Sequence, residues 1–481
     1  MKKPKILEDI DIINDQLDSH AASLADIAVN VKSYGAKGDG VTNDNVAIQS
    51  ALAAGNTIYF PPGVYLVNGL TINNKRIIGT IDSKIYVGTS TSTEFAITFN
   101  GTNIVENITF EIAESSLRRT LVTLRNTTAN LFRNCHFIST GTTSLKTHNT
   151  LDLYGNNQNA TFENCIFDQM TTGPEGGVWI REVSAGVTTS NIKFNNCTFN
   201  KAGGDEVIAA WGWIGTVDGV KLFNCTINSY EGATNNPDHI ITLGADGTTN
   251  NIKCVECTFY IEYAKSTFCK SCSSTGDDLQ FIDCKIRIKK TDASAILFRN
   301  ESGVTNYVVS GCTIIADAAA TLNYVFSNVL LVTNCNVTVS TLSDKMFNSC
   351  SKITFNTIVA NCDAKICSSG DFVNNMLTLH NTAASILFQW TLAGTYKIRR
   401  NIISCDVQCT QMFFISDLTK APIIIIEENE ITKGGIYVYH IGITKISRNI
   451  FNTFAVGTIS NPQITENIKS GVYYASGTSG W

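Results

Sequence analysis

FRNCHF at Phe132–Phe137, FENCIF at Phe162–Phe167 and FNNCTF at Phe194–Phe199 are one phrase written three times: an apolar residue, two variable residues, Cys, one more residue, and a second apolar residue. FIDCKI at Phe281–Ile286 repeats it, and IRRNII (Ile398–Ile403), IEENEI (Ile426–Ile431) and ISRNIF (Ile446–Phe451) keep the frame with Asn in the Cys slot. Read this way, the slot is filled by Asn107, Cys135, Cys165, Cys197, Cys225, Cys257, Cys284, Cys312, Cys335, Asn356, Asn375, Asn401, Asn429, Asn449 and Asn467. Fifteen occurrences across 360 residues are an internal repeat.

Repeats 18–32 residues long fit leucine-rich, helical or β-solenoid arrays, so local propensity has to choose. The flanks are short alternating runs rich in Thr, Ile, Val and Phe, such as TLDLYG and ITLGA, separated by clusters of Asn, Gly, Ser and Thr. That pattern is β, and the Leu-x-x-Leu-x-Leu signature of a leucine-rich horseshoe is absent. The remaining solution is an all-β parallel β-helix of about fifteen coils, one coil per repeat. The slot falls where the chain turns between two strands of a coil. Asn suits a corner because it tolerates left-handed backbone and its amide can bond the same amide one coil away. Cys in that slot is expected to be a small buried hydrophobe with a reduced thiol, because stacked parallel side chains point alongside rather than at one another.

Composition narrows the function. The 481 residues carry 36 basic and 41 acidic side chains, a net charge of −5, which removes the broad basic footprint of a nucleic-acid binder. No run of 18 apolar residues exists, so no membrane insertion is expected. Asp9, Asp11, Asp15 and Asp18 stand where a signal peptide would need an apolar stretch, so no export signal is read. Cys269-Lys-Ser-Cys272 lacks the second pair or neighbouring His residues of a zinc site, and the expectation is no metal and no cofactor. GAKGDG (Gly35–Gly40) lacks the Lys-Ser/Thr ending of a phosphate loop and reads as a tight turn.

The array needs caps at its ends. Residues 29–80 are expected to supply the first: a strand VNVKSYG, the glycine turn, a short helix near Asp44 to Ala53, and the strands of NTIYFPPGVYLVNGLTI. This text, about 45 residues long, closely resembles the opening of pectate-lyase-like right-handed parallel β-helix proteins found in phage tailspikes and polysaccharide-cleaving enzymes. Upstream, in residues 1–28, Ile6, Ile10, Ile13, Leu17, His20, Leu24 and Ile27 step by 4 and 3, a heptad seam that favours a trimeric coiled coil over a single amphipathic helix. The β-helix is expected over 81–469, with a C-terminal tail at 470–481 whose Tyr473, Tyr474 and Trp481 are placed to cover the open end.

Coils between Asn107 and Cys312 are 27–32 residues long, and the surplus must leave the cylinder as loops, where binding usually resides. Those loops contain DQMTTGPEGG (Asp168–Gly177), NKAGGDE (Asn200–Glu206) and SYEGATNNPDH (Ser229–His239). Close by are Trp179, Trp211, Trp213 and Tyr230, flat rings that stack on sugars, and with His239 they form the expected substrate-binding set. Two carboxyls about 5–5.5 Å apart retain, and about 6.5–9.5 Å apart invert, a glycosidic centre; adjacent or next-but-one coils offer such distances. Asp205, Glu206 and Asp238 are the preferred catalytic carboxyls, with Glu175, Glu182 and Asp246 behind them. An eliminating enzyme would instead use a base beside an acidic sugar, and His239 with Lys201 fits that requirement. The Asn-Thr-Asp, Asp-Asp and Gly-His-Gly motifs of pectin hydrolases are not matched; Asp277-Asp278 stands in an unrelated context.

The resemblance, the heptad leader and the absence of an export signal together imply a bacteriophage tail spike or receptor-binding protein. It is expected to be a homotrimer that assembles in the host cytoplasm, joins other virion tail proteins through its N-terminal segment, and grips or degrades host surface polysaccharide. Two alternatives stay open: a free bacterial polysaccharide lyase or glycoside hydrolase, monomeric, and a purely architectural virion part.

Overall fold

The computed structural model describes residues 28–474 except 90–94, 113–119, 142–148, 172–176, 183–184, 203–205, 213–214, 232–238, 244–246, 266, 272–274, 302–303, 363–364, 368–369, 382–385, 391–394, 407–410, 416–422, 440–442, 457–460, 466 and 470–471. The heptad seam at Ile6–Ile27 lies outside the described residues.

Each lap of the chain contributes a strand to three parallel walls. Thr120–Arg133, bent at its middle, serves two of them: Val122 pairs with Leu151 in the first wall, and Phe132 with Phe162 in the second. The third wall pairs Phe137 with Phe167 and Phe167 with Phe199. Alternation along each strand sends one set of side chains inward, and register then stacks like on like. Phe132, Phe162 and Phe194 lie face to face at 5.1 and 4.8 Å, and Phe137, Phe167 and Phe199 at 4.7 and 4.9 Å, which is the strand spacing of a parallel sheet. These columns are the core; every one of these rings is buried. The solenoid amounts to about 11 turns, slightly fewer than the fifteen slots counted in the sequence.

The corner lies between the second and third walls, and it holds two adjacent columns. Asn134, Asn164, Asn196 and Asn224, at φ of 49–54°, take the left-handed conformation, and their exposed amides bond one another from lap to lap. The next residue is the slot, buried as Cys135, Cys165, Cys197 or Cys225. Asn134 donates to the Oδ1 of Asn107, at φ 57°, so Asn107 belongs to the left-handed column and the slot of that lap is the buried Ile108. The sequence assignment of Asn107 to the slot is therefore one residue early.

From Asn356 onward the slot is an amide ladder: Asn356 donates to Asn375, Asn375 to Asn401, Asn401 to Asn429, Asn429 to Asn449 and Asn449 to Asn467 at 2.9–3.2 Å. The same amide also donates to the carbonyl three residues ahead of the previous slot, as Asn375 does to Ile353 and Asn401 to Phe372. The thiols use the equivalent carbonyl: Cys165 Sγ donates to Phe132 O at 3.5 Å and Cys197 Sγ to Phe162 O at 3.4 Å. Cys in the slot is thus a buried donor as well as a small apolar filler.

At the N-terminal end the expected long strand VNVKSYG is only Val29–Asn30, followed by a 3-10 turn at Val31–Tyr34. Asn30 caps that turn by accepting from Lys32 N, and the chain then turns at Gly35, which is left-handed. The helix α1 (Asn45–Ala54) closes the lumen with Ile48, Ala51 and Leu52. Its preceding residue, Asp44, is buried and accepts from the backbone N–H groups of Lys37 and Gly38 at 2.6 and 3.0 Å. The GAKGDG amides are thus held by the protein's own carboxylate. At the far end Val472–Tyr474 folds back antiparallel on Asn467–Lys469, the one antiparallel pairing among the described residues. Trp481 lies outside them.

Candidate functional site

The outer face of the first wall concentrates the groups that can hold a sugar chain. Strands Asn149–Tyr154 and Val178–Glu182 turn Leu151, Leu153, Val178 and Ile180 inward, so Asp152, Tyr154, Trp179 and Arg181 face out. Register sets Asp152 beside Trp179 and Tyr154 beside Arg181. One lap earlier Arg125 pairs with Tyr154, and one lap later Trp211 pairs with Arg181.

Arg181 is the centre of this group. Its Nε bonds Asp152 Oδ1 at 3.1 Å and its Nη2 bonds Oδ2 at 2.5 Å, a two-pronged grip that fixes the plane of the guanidinium. Its Cζ lies 5.0 Å from the Tyr154 ring centre and 4.7 Å from that of Trp179, so it is attracted to both rings. Arg125 approaches Tyr154 from the other side at 5.6 Å, and Phe95 packs on the same ring at 5.6 Å. Asp152 is fully buried, and that burial raises its carboxyl pKa against the opposing pull of Arg181. The exposed residue of the set is Arg125, while Tyr154, Trp179 and Arg181 are half-buried. The result is an aromatic floor with a fixed cation on it. Chemically it can stack on a pyranose ring and bind an acidic substituent beside it.

The residues expected from sequence fall unevenly on this frame. Trp179 is in the centre. Trp211 shares its wall, in register with Arg181, but its side chain, Trp213, Asp205, Asp238, Glu175 and Asp246 lie outside the described residues. Glu206 is buried at the start of the same wall, where its carbonyl accepts from Gly177 N at 2.8 Å, and His239 is nearly buried two residues ahead of Ile241. Glu182 is buried at the end of its strand, in register with Gly212. Tyr230 stands on the third wall, paired with Ala202, and does not join Trp179. Lys201 also belongs to the third wall, in phase with the buried Phe199; it is 0% exposed and donates to Gln169 Oε1 at 3.1 Å inside the solenoid. It is a core residue and does not face a ligand. The segments that join the third wall to the first in successive laps, 172–176, 203–205 and 232–238, contain Glu175, Asp205 and Asp238, and their flanking strands are neighbours.

Sequence reasoning missed Asp152, Tyr154, Arg181 and Arg125. The alternation in LDLY and VWIRE would have marked Asp152, Tyr154 and Arg181 as outward-facing, but only the register brings residues 27–30 positions apart into one cluster. A second polar group stands on the third wall: His136 Nε2 and Asp168 Oδ2 are 2.6 Å apart, Asn200 donates to Asp168 Oδ1 at 2.7 Å, and Asn228 to Asn200 at 2.8 Å. Burial pushes the Asp168 carboxyl up, and the bonds from His136 and Asn200 outweigh it and hold it below the ordinary range.

Residues 28–257 match the family model described as rhamnogalacturonase A/epimerase, pectate lyase-like. A stretch of 44 residues is 54% identical to mannuronan C5-epimerase AlgE6 of Azotobacter vinelandii, covering 8% of this chain and 5% of that protein. Another of 56 residues is 47% identical to the preneck appendage protein of Bacillus phage PZA, covering 11% of this chain and 7% of that protein. Each match therefore spans a small fraction of the relative's own length. Among solved structures, the enzymatically active domain of bacteriophage CBA120 tailspike protein 2 aligns over 65% of this chain and 47% of its own, at 11% identity and a TM-score of 0.43. With the walls and the corner ladder in place, the chain is a parallel β-helix protein, and residues 28–257, just under half of it, are similar to the pectate-lyase-like family.

Proposed function

We propose that this protein is a phage tail spike that binds host cell-surface polysaccharide along the outer face of its first wall. The observation that carries the reading is the Trp179–Arg181–Tyr154 stack with Arg181 locked by Asp152. A free polar surface has no need of a guanidinium held rigid between two rings, whereas a chain of sugars bearing acidic groups is matched by both parts. The matches to a virion appendage protein and to a polysaccharide-modifying enzyme support the two halves of this reading. In it three copies assemble, the N-terminal segment joins the virion, and the β-helix faces the host.

Cutting of the bound polysaccharide is the second step of the proposal, favoured by the family model. Asp205, Glu206 and Asp238 are the proposed carboxyls; in the chain they follow third-wall strands, and Asp205 and Asp238 lie outside the described residues. Binding is tested with purified surface polysaccharides by calorimetry. Trp179→Ala is expected to weaken binding roughly tenfold, since one cation–π and stacking platform contributes about 1–2 kcal/mol. Unchanged affinity in that variant overturns the assignment of the face. Reducing ends, with absorbance of unsaturated uronates, report cutting; activity that survives Asp205→Asn, Glu206→Gln and Asp238→Asn removes those carboxyls from the reaction.

A further inference from the structure

One outward column of the second wall carries three lysines in succession. Register sets Lys193 beside Lys221 and Lys221 beside Lys253, with Thr161 before them and Gln280 after. Their chain neighbours, such as Ile192 and Phe194 or Val220 and Leu222, are buried, so the lysines leave the wall on its outer face. Lys193 and Lys221 are exposed and Lys253 is half-buried. Laps lie about 4.8 Å apart, so three like charges are stacked within about 10 Å. Like charges directly opposite one another repel, and elsewhere this solenoid alternates them. Two residues along the same wall, Arg133 stands between Glu106 and Glu163 and bonds each at 3.0 Å. At the corner, Glu428 takes Arg400 and Arg448 from the laps on either side.

The lysine run has no such balance. Lys253 Nζ is 3.8 Å from Asp278 Oδ2, whereas Lys193 and Lys221 have no ion-pair partner among the described residues. Asp218, three residues ahead of Lys221, accepts from Asn251. A ring lies beside the cations: Phe223, half-buried on the outer face, has the Lys221 ammonium 5.2 Å from its centre. A stack of cations without its own counter-charge, next to a flat apolar surface, is matched by a polymer that brings acids at the spacing of the laps and a sugar face to the ring. Ammonium groups on flexible stems suit such a polymer, because they follow an acid from several directions where a guanidinium demands one plane. A single-stranded nucleic acid would supply the charge too, but it needs a row of rings for successive bases. The register partners of Phe223 are Asn195 and Val255, which offer none, and the net charge of −5 opposes it.

We propose that Lys193, Lys221 and Lys253 form a second ligand site, on the second wall, which holds a polyanionic glycan with an acidic group on successive sugars, laid along the solenoid axis. It goes beyond the first-wall reading and stands on different residues and a different wall. The full chain is titrated by calorimetry at low and high salt with polygalacturonate, which has an acid on every sugar, and with hyaluronate, which has one on every second sugar. Neutral dextran and a single-stranded DNA oligonucleotide are the comparison ligands. Lys193→Gln with Lys221→Gln is set against Lys352→Gln, an exposed lysine of the same column whose register partners are Leu331 and Asp371. Polygalacturonate is expected to bind more tightly than hyaluronate, and dextran not at the lysines. The double variant is expected to lose about tenfold in polygalacturonate affinity at low salt and little at high salt, with Lys352→Gln changing it less than about twofold. No loss in the double variant, an equal loss in Lys352→Gln, or DNA bound as tightly as polygalacturonate overturns the proposal. Trp179→Ala separates the two walls. A loss from the double substitution that is the same in the Trp179→Ala background belongs to the second wall, whatever becomes of the first-wall reading; a loss seen only with Trp179 intact assigns the lysines to the first-wall site and overturns a separate one.

Discussion

At the corner slot, Cys and Asn interchange because both donate a hydrogen bond to the same carbonyl one lap back. They differ in the other direction. Asn offers Oδ1 to the backbone N–H of the previous slot, as Asn356 does to Cys335 and Asn401 to Asn375. Asn401→Ala deletes the donor to Phe372 O and leaves the backbone N–H of Asn375 and one of its two side-chain N–H groups buried without an acceptor, the other still reaching Ile353 O. The expected cost is about 3 kcal/mol, from two or three buried polar groups at about 1–3 kcal/mol each. Asn401→Cys restores the bond to Phe372 and is expected to cost about half as much, both read from urea midpoints. Equal losses would show that the thiol bond contributes nothing. At the cap, Asp39 accepts from the N–H groups of Val41 and Thr42 and from the Thr42 hydroxyl, and these bonds lower its pKa to about 2. Because the folded value is depressed, its contribution to stability is complete above about pH 4 and is lost as pH falls through about 2. A carbon-detected NMR titration should place the Asp39 midpoint near 2; a midpoint near the ordinary 3.9 refutes the turn geometry.

The fold was legible in the sequence because a solenoid writes its register into a repeating phrase, and FRNCHF and its copies name both the corner and the two apolar residues that flank it. The slip at Asn107 has a physical origin. The left-handed column and the slot are neighbours in the chain and both accept Asn, so a lap with Ile108 in the slot presents its Asn one position early. The site was half legible for a related reason. Trp179 announces itself by composition, whereas Asp152 and Arg181 become a pair only when two strands 29 residues apart are laid side by side. At the scale of that wall the pair is structural before it is functional. Asp152→Ala strands the Arg181 guanidinium against a buried wall, and removing one partner of a buried pair costs about 3–5 kcal/mol. Asp152→Asn keeps the shape and one acceptor for Arg181, but its amide NH2 faces a guanidinium N–H, so one of the two bonds survives and the variant should cost less than Asp152→Ala. Binding changes as well. Arg181 then loses its fixed plane but also its neutralising carboxylate, so the charge attraction to acidic polysaccharide, and with it the decline of affinity with added salt, should steepen in both variants while selectivity for the stacked ring falls. Thermal melts and calorimetry at two salt concentrations check this; an Asp152→Ala variant with native stability would mean that Arg181 is not anchored there.

For the whole molecule, stability is carried by contacts between adjacent laps, so the solenoid behaves as a row of coupled units and not as one indivisible core. The thiols report on that row. Cys135, Cys165, Cys197, Cys225, Cys257, Cys284, Cys312 and Cys335 are buried and free, spread along the early and middle laps, with Cys350 and Cys405 buried beyond them. Every one of these thiols is buried, so a reagent in solution cannot reach them while the laps stay closed. A water-soluble thiol reagent is therefore expected to leave the ladder untouched in native buffer and to label all of it in strong denaturant. The intermediate regime is informative. Asn401→Ala weakens laps near the C-terminal end, and Cys405 lies four residues from the change while Cys135 is many laps away. Pulse labelling with mass mapping in mild denaturant should show Cys405 and then Cys350 reacting before Cys135 and Cys165, since an opening that starts at one lap exposes its neighbours first. Simultaneous labelling of all positions would instead show that the stack opens as a single cooperative body, with the coupling between laps exceeding the loss of any one rung of the ladder.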